Sequence, residues 1–190
     1  MNKIYSSLEY IEDESTLNSL VSILVCLMPV FEKQNPDPEG TDGNPILKEF
    51  VEKEQLYREK LIYLINRGAE YGMDKCCKTL QIMLRKPKLA SYYFNVNDLN
   101  LILDILLREV TTTVSSKTRV QLLKLLEIVL DNDIYREDKY RIDDVEEMIQ
   151  EQILYEEEEE AGKKYSESEL ECIASLNQFF QIEKKLAAKK

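Results

Sequence analysis

Apolar residues recur at helical spacing along almost the whole of this chain, and no alternating strand pattern persists anywhere in it. Leu17, Leu20, Val21, Leu24, Val25 and Met28 set the first face, with Asp13 or Ser15 placed to cap it. Ile46, Leu47, Phe50 and Val51 begin a second face. It resumes at Tyr57, Leu61, Leu64 and Ile65 beyond the polar run "EKEQ" (52–55), where the helix is expected to break in two. A third face, within residues 73–84, carries Cys76, Cys77, Leu80 and Met83. Leu99, Ile102, Leu103, Leu106, Leu107 and Val110 make the broadest one, and Val120, Leu123, Leu126 and Leu130 follow, capped by Ser115 or Ser116. Further helices are predicted from near Asp143 into the glutamate block 156–160, and from Ser166 through Leu170, Ile173, Leu176, Phe180 and Ile182, with Gly162 between them.

The punctuation agrees with this reading. Five glycines and five prolines in 190 residues are few for the many tight turns of an all-β fold. "KQNPDPEGTDGNP" (33–45) is a loop, and Pro45 fits the first turn of the helix that follows. Pro29 is expected to kink or end the first helix, because it cannot donate to the preceding turn. "NRG" (66–68) supplies a glycine stop, "RKPK" (85–88) another break, and "DNDIYREDKYR" (131–141) a connection. Asn97-Asp98 reads as a helix start, with Tyr92, Tyr93 and Phe94 packing the incoming loop.

The total is seven or eight helices. Several of their faces are wider than a single stripe, as in helices packed on two sides. The expected fold class is therefore all-α, an armadillo-like α-solenoid of layered helix pairs rather than a four-helix bundle. The expected organisation is a lead-in over 1–14, the helical domain over 15–150, and an acidic linker with a C-terminal helix over 151–190 packed on the same domain.

Composition removes several functional classes. There is no histidine, which excludes Ser-His-Asp and Cys-His catalysis and His-ligated zinc or haem. Cys26, Cys76, Cys77 and Cys172 form no C-x-x-C pair, and Cys26 and Cys76 lie among apolar residues, so buried reduced thiols are expected. The start shows no secretory pattern, and the longest apolar run, residues 20–31, is interrupted by Ser22 and Pro29 and is expected to be too short to span a bilayer. These features predict a cytoplasmic protein with no direct membrane insertion and no cofactor.

The net charge of −11 is local. Residues 143–171 carry 13 acids and two bases, whereas the rest is nearly neutral. A nucleic-acid binder would need a basic surface, so that class is disfavoured. Asp143 and Asp144 could be read as paired metal carboxylates, but neighbours on a helix point to different sides. The 156–160 glutamates are either a solvated helix end or a contact for a basic partner.

Five basic residues stand out as a candidate partner-binding set: Arg67, Arg85, Lys86, Lys88 and Arg108. Each follows an apolar helical face. Each can complement a helix dipole, worth a few tenths to about 1 kcal/mol, or border a contact surface shared along related edges of the solenoid. Arg108, followed by Glu109, has three open roles: dipole, carboxylate pair, or partner contact.

Four pieces of the sequence, in order, resemble the leucine-rich domain of the WISH/DIP/SPIN family of actin-nucleation activators. They are "LIYLINRG" (61–68), "CCKTLQIML" (76–84), "YYFNVNDLNLILDILLREV" (92–110) and "NDIYREDKYRIDDV" (132–145). Asn66, Arg67, Cys77, Lys78, Leu80, Phe94, Asn97, Asp98, Leu99, Leu107, Arg108 and Glu109 fall on the matching places. "LVSILVCLMPVFEKQ" (20–34) and "NPILKEF" (44–50) are similar more loosely, so the resemblance covers about residues 17–150. Val96, and Met28 with Pro29, depart from the family's usual residues. No SH3 domain or proline-rich segment precedes the helical part, so SH3-mediated roles are not carried over. The resemblance implies an armadillo-like domain that binds the actin-related protein 2/3 complex and switches it on without a pre-existing filament, with no catalytic residue, at cortical actin patches. The other expectation is an armadillo-type adaptor that binds a peptide or helix of another cytosolic partner. The oligomeric state is not legible from the sequence.

Overall fold

The structure is a computed structural model that describes residues 13–37, 40–67, 72–157 and 165–187, with backbone alone for 153–157 and 186–187. The described residues are all-α, with ten helices and no strand among them. The chain divides into two compact units, Met1–Phe94 and Asn95–Lys190.

The first unit holds α1 (Glu14–Gln34), α2 (Pro45–Glu52), α3 (Glu54–Arg67), α4 (Met73–Leu84) and α5 (Pro87–Tyr93). Helix α1 starts where the sequence placed its cap: the Asp13 carboxylate accepts from Thr16 N at 2.8 Å. It then continues past Pro29, so the proline does not end it. Pro29 has no N–H, so the carbonyl of Val25 lacks its intrahelical donor. Thr79 of α4 supplies the replacement, its buried hydroxyl donating to Val25 O at 3.1 Å.

That continuity changes the length argument. The apolar run expected to be too short lies in a helix of 21 residues in which an 18-residue window has a mean hydropathy of 1.5, so that by length and composition it could cross a bilayer. Here it packs on α2, α3 and α4. Val21, Val25 and Met28 are fully buried, while Ile23, Leu27 and Val30 are exposed on its other side. Cys26 shares that exposed side and so departs from the expected buried thiol. Cys76 is buried as expected, and burial pushes its thiol up to about 12, with Cys26 and Asp74 adding smaller electrostatic contributions. It is uncharged and inert at neutral pH.

Asn44 fastens the following loop. Its Oδ1 caps α2 by accepting from Ile46 N and Leu47 N, each at 3.2 Å. Its Nδ2 donates to Met28 O and to the Glu32 carboxylate, each at 3.1 Å. A buried amide with both ends satisfied fixes α2 against α1. Lys53 separates α2 from α3 inside the predicted break, and Phe50 stacks on Tyr57 across it with ring centroids 4.5 Å apart. Helix α4 has the bounds of the predicted face, 73–84. Gly68, the predicted stop, lies outside the described residues.

The second unit holds α6 (Val96–Thr112), α7 (Ser116–Asp131), α8 (Asp133–Asp138), α9 (Ile142–Glu157) and α10 (Glu167–Ala187). Helix α6 starts two residues earlier than read. Asn95 is its cap: Asn95 Oδ1 accepts from Asp98 N at 3.1 Å, and Asp98 Oδ2 accepts from Asn95 N at 3.0 Å. Asp98 is thus the far half of a capping box, not the cap itself. Leu99, Leu103, Leu106, Leu123 and Leu126 are all fully buried, as their spacing predicts. Helix α6 packs on α7, α8 and α9, and α10 packs on α7 and α9. In both units helices are covered by several others, the local pattern of an α-solenoid. The expected boundary at residue 150 falls within α9, and Gly162 and residues 158–160 of the glutamate block lie outside the described residues.

A buried polar cluster ties α7 to the start of α10. Arg119 Nη1 donates to Glu169 Oε1 at 2.6 Å, and the other Glu169 oxygen accepts from Ser116 Oγ at 2.6 Å and Ser166 N at 2.7 Å. Burial by itself raises the Glu169 carboxyl, but the hydrogen bonds from Ser116, Ser166 and Arg119 outweigh it and hold the group below its usual range.

Candidate functional site

The five basic residues do not form one set. Arg67, at the end of α3, is exposed, with its guanidinium carbon 5.6 Å from the centre of the Tyr63 ring. Helices α3 and α4 pack together across residues 68–72, so they run antiparallel. Arg67 and Arg85 therefore lie at opposite ends of the hairpin, about 18 Å apart along the axis at about 1.5 Å per residue.

Lys86 is not at the surface. It is 3% exposed, its Nζ lies 2.9 Å from the Glu32 carboxylate, and it also donates to the carbonyl of Asp37. A lysine buried this far is held by its partners, because an unpaired ammonium in the interior is costly. Arg85 and Lys88 on either side are exposed. Arg108 belongs to the second unit. It is half-exposed and contacts the carboxylate of adjacent Glu109 at 2.9 Å. The carboxylate pair, one of its three open roles, is formed. Helix α6 runs on to Thr112, so Arg108 sits a turn before its end, where the dipole term is weak.

The first unit contains an open groove of about 400 Å³ between α1 and α4. Pro29 and Glu32 form one wall. Lys78, Gln81, Ile82 and Arg85 form the other, with Lys86 beside them. Arg85 and Lys86 were singled out from the sequence, whereas Lys78 was noted only as part of the resemblance. A signal for it was present: Lys78, Ile82 and Arg85 stand at i, i+4 and i+7, which puts two cations and an apolar residue on one helix face. Among the described residues, neither Lys78 nor Arg85 has a side-chain hydrogen-bond or ion-pair partner.

Asp144, one of the two carboxylates considered for a metal, is paired with Arg141, which also bonds Asp104 at 2.7 Å. Among the described residues, no three cysteine or acidic side chains are grouped to hold an ion.

The residues that carry the sequence resemblance are largely structural. Cys77, Leu80, Phe94, Leu99 and Leu107 are buried, Asp98 closes the capping box of α6, and Lys78 and Arg108 reach the surface. Such a set records a fold more than a site. No curated protein and no solved structure matches the chain. Residues 13–145, more than two-thirds of its length, match the SPIN90/Ldb17 leucine-rich domain, and the chain belongs to that family.

Proposed function

We propose that this protein is a non-enzymatic binding protein that activates the actin-related protein 2/3 complex, so that the complex nucleates linear filaments without a pre-existing one. The observation that carries the reading is the family match over 13–145, which covers the described part of the first unit, reaches into the second and includes every piece of the earlier resemblance. The work is done in the cytoplasm, at cortical actin patches, without membrane insertion or cofactor. The mechanism is a population shift: the protein binds the active arrangement of the complex more tightly than the inactive one. Moving a 1:99 mixture to 99:1 takes about 5.5 kcal/mol of differential binding, which needs a rigid surface. Arg85, Lys88 and the exposed Ile23–Leu27–Val30 side of α1 are the surface features of the first unit offered for that contact, with Arg67 at the other end of its hairpin. In the second unit the candidate is Arg108.

The test is bulk assembly of monomeric actin with the complex, in the presence and absence of this protein, with no seeds added. Assembly should start without the lag that waits for filaments. Binding to the complex with no faster assembly would make the protein an adaptor. No binding to a complex from the same organism would sink the proposal.

A further inference from the structure

We infer that the groove between α1 and α4 is a binding site for an acidic segment of a partner protein that carries apolar side chains between its carboxylates. Three cations and one carboxylate line it. Glu32 is spent on Lys86 at 2.9 Å, so that pair shapes the wall and adds no net charge. Lys78 and Arg85 remain, without partners among the described residues. Two uncompensated cations lining one hollow form a local field that draws carboxylates.

The shape selects among anions. Lys78 and Arg85 are separated by seven residues, about 10 Å along the helix, with Gln81 and Ile82 between them and Pro29 on the opposite wall. Pro29 keeps that place in an unbroken α1 because Thr79 satisfies Val25 O. A lone phosphate would neutralise the charge but leave Ile82 and Pro29 in water. A peptide with an acidic side chain for each cation and an apolar one between them covers both. The Arg85 guanidinium can take a carboxylate bidentately, while Lys78 acts as a point charge. The groove volume of about 400 Å³ lies in the range of sites that take a few side chains.

The assignment does not depend on the identity of the partner, and its test contains neither actin nor the complex. A failure here therefore leaves the function proposed above standing, and a failure of nucleation leaves the groove standing. The full chain is titrated into a short fluorescein-labelled peptide in which Asp and Glu alternate with Leu and Phe, and anisotropy is read. Control peptides replace the acids with Lys, or Leu and Phe with Ser. Inorganic phosphate and vesicles containing phosphatidylserine serve as competitors. The acidic–apolar peptide should bind saturably, and both controls should bind at least about tenfold more weakly. The Lys78→Glu/Arg85→Glu variant, with its melting temperature retained, should lose about tenfold or more in affinity. If reversal disturbs folding, Lys78→Ala/Arg85→Ala should weaken binding in the same direction. Peptide binding that is absent, or unchanged in these variants, overturns the assignment. So does full displacement by phosphate or by the vesicles at concentrations where the acid-free control does not compete.

Discussion

Replacing Thr79 with valine should destabilise the first unit by more than its one lost oxygen suggests. The side chains are close in volume, so packing changes little, but Val25 O is left buried with no donor. Pro29 cannot donate to it, which is the reason the hydroxyl is needed. A buried acceptor left unsatisfied costs about 1–3 kcal/mol. For a chain of this size about 2 kcal/mol corresponds to a fall of about 4–8 °C in melting temperature. The decisive comparison is a double-mutant cycle. Pro29→Ala restores an N–H that can close the intrahelical bond to Val25 O. In that background Thr79→Val should cost about 1 kcal/mol less than in the native one. Denaturant titration followed by circular dichroism measures all four proteins. Equal costs in the two backgrounds would refute the link between the proline and the threonine.

Leu106→Ala, at a fully buried site in α6, should cost about 2–5 kcal/mol in the same denaturant assay, and a cost near zero would mean the face has been misassigned. The Glu169 carboxyl is held below its unfolded value of about 4.5, so its contribution is complete above that pH and fades as pH falls through the lowered folded value. Glu169→Gln should therefore flatten the acid limb of the stability–pH curve. It should also cost about 3–5 kcal/mol at neutral pH by stranding buried Arg119, and parallel curves would contradict this. Under native conditions a thiol reagent should label Cys26 promptly, whereas Cys76, Cys77 and Cys172 should react only after unfolding; mass spectrometry of digests separates the four.

The long helices were legible because their apolar period repeats over three or more turns, as at 73–84 and 99–110. The short ones were not. Residues 87–93 and 133–138 form helices of seven and six residues, too few for a period to emerge, and the local signals are Pro87 at the first position of α5 and the Asn132 cap of α8. The start of α6 was read two residues late because Asn95 and Asn97 are both plausible caps, and only the reciprocal bond from Asp98 decides between them. The continuity of α1 past Pro29 and the exposure of Cys26 escape the sequence for a different reason. The donor that rescues Val25 O comes from Thr79, 54 residues away, and the side of α1 left uncovered depends on which helices reach it. The site residues suffered from the same blindness to distance. Position at a helix end is readable for Arg67 and Arg85, but helix direction is not, and the burial of Lys86 rests on Glu32 far upstream. Lys78, Ile82 and Arg85 were readable as one face. Their emptiness was not, because it depends on what fails to pack there.

The most direct test of the central claim images individual filaments rather than bulk signal. Monomeric actin, the actin-related protein 2/3 complex and this protein are combined without seeds, and the first filaments are watched as they form. The account predicts that filaments appear early, unbranched and in numbers that rise with the amount of this protein, and that omitting the complex abolishes the effect. Filaments that appear only as branches on existing ones, or at the rate seen without this protein, would contradict it.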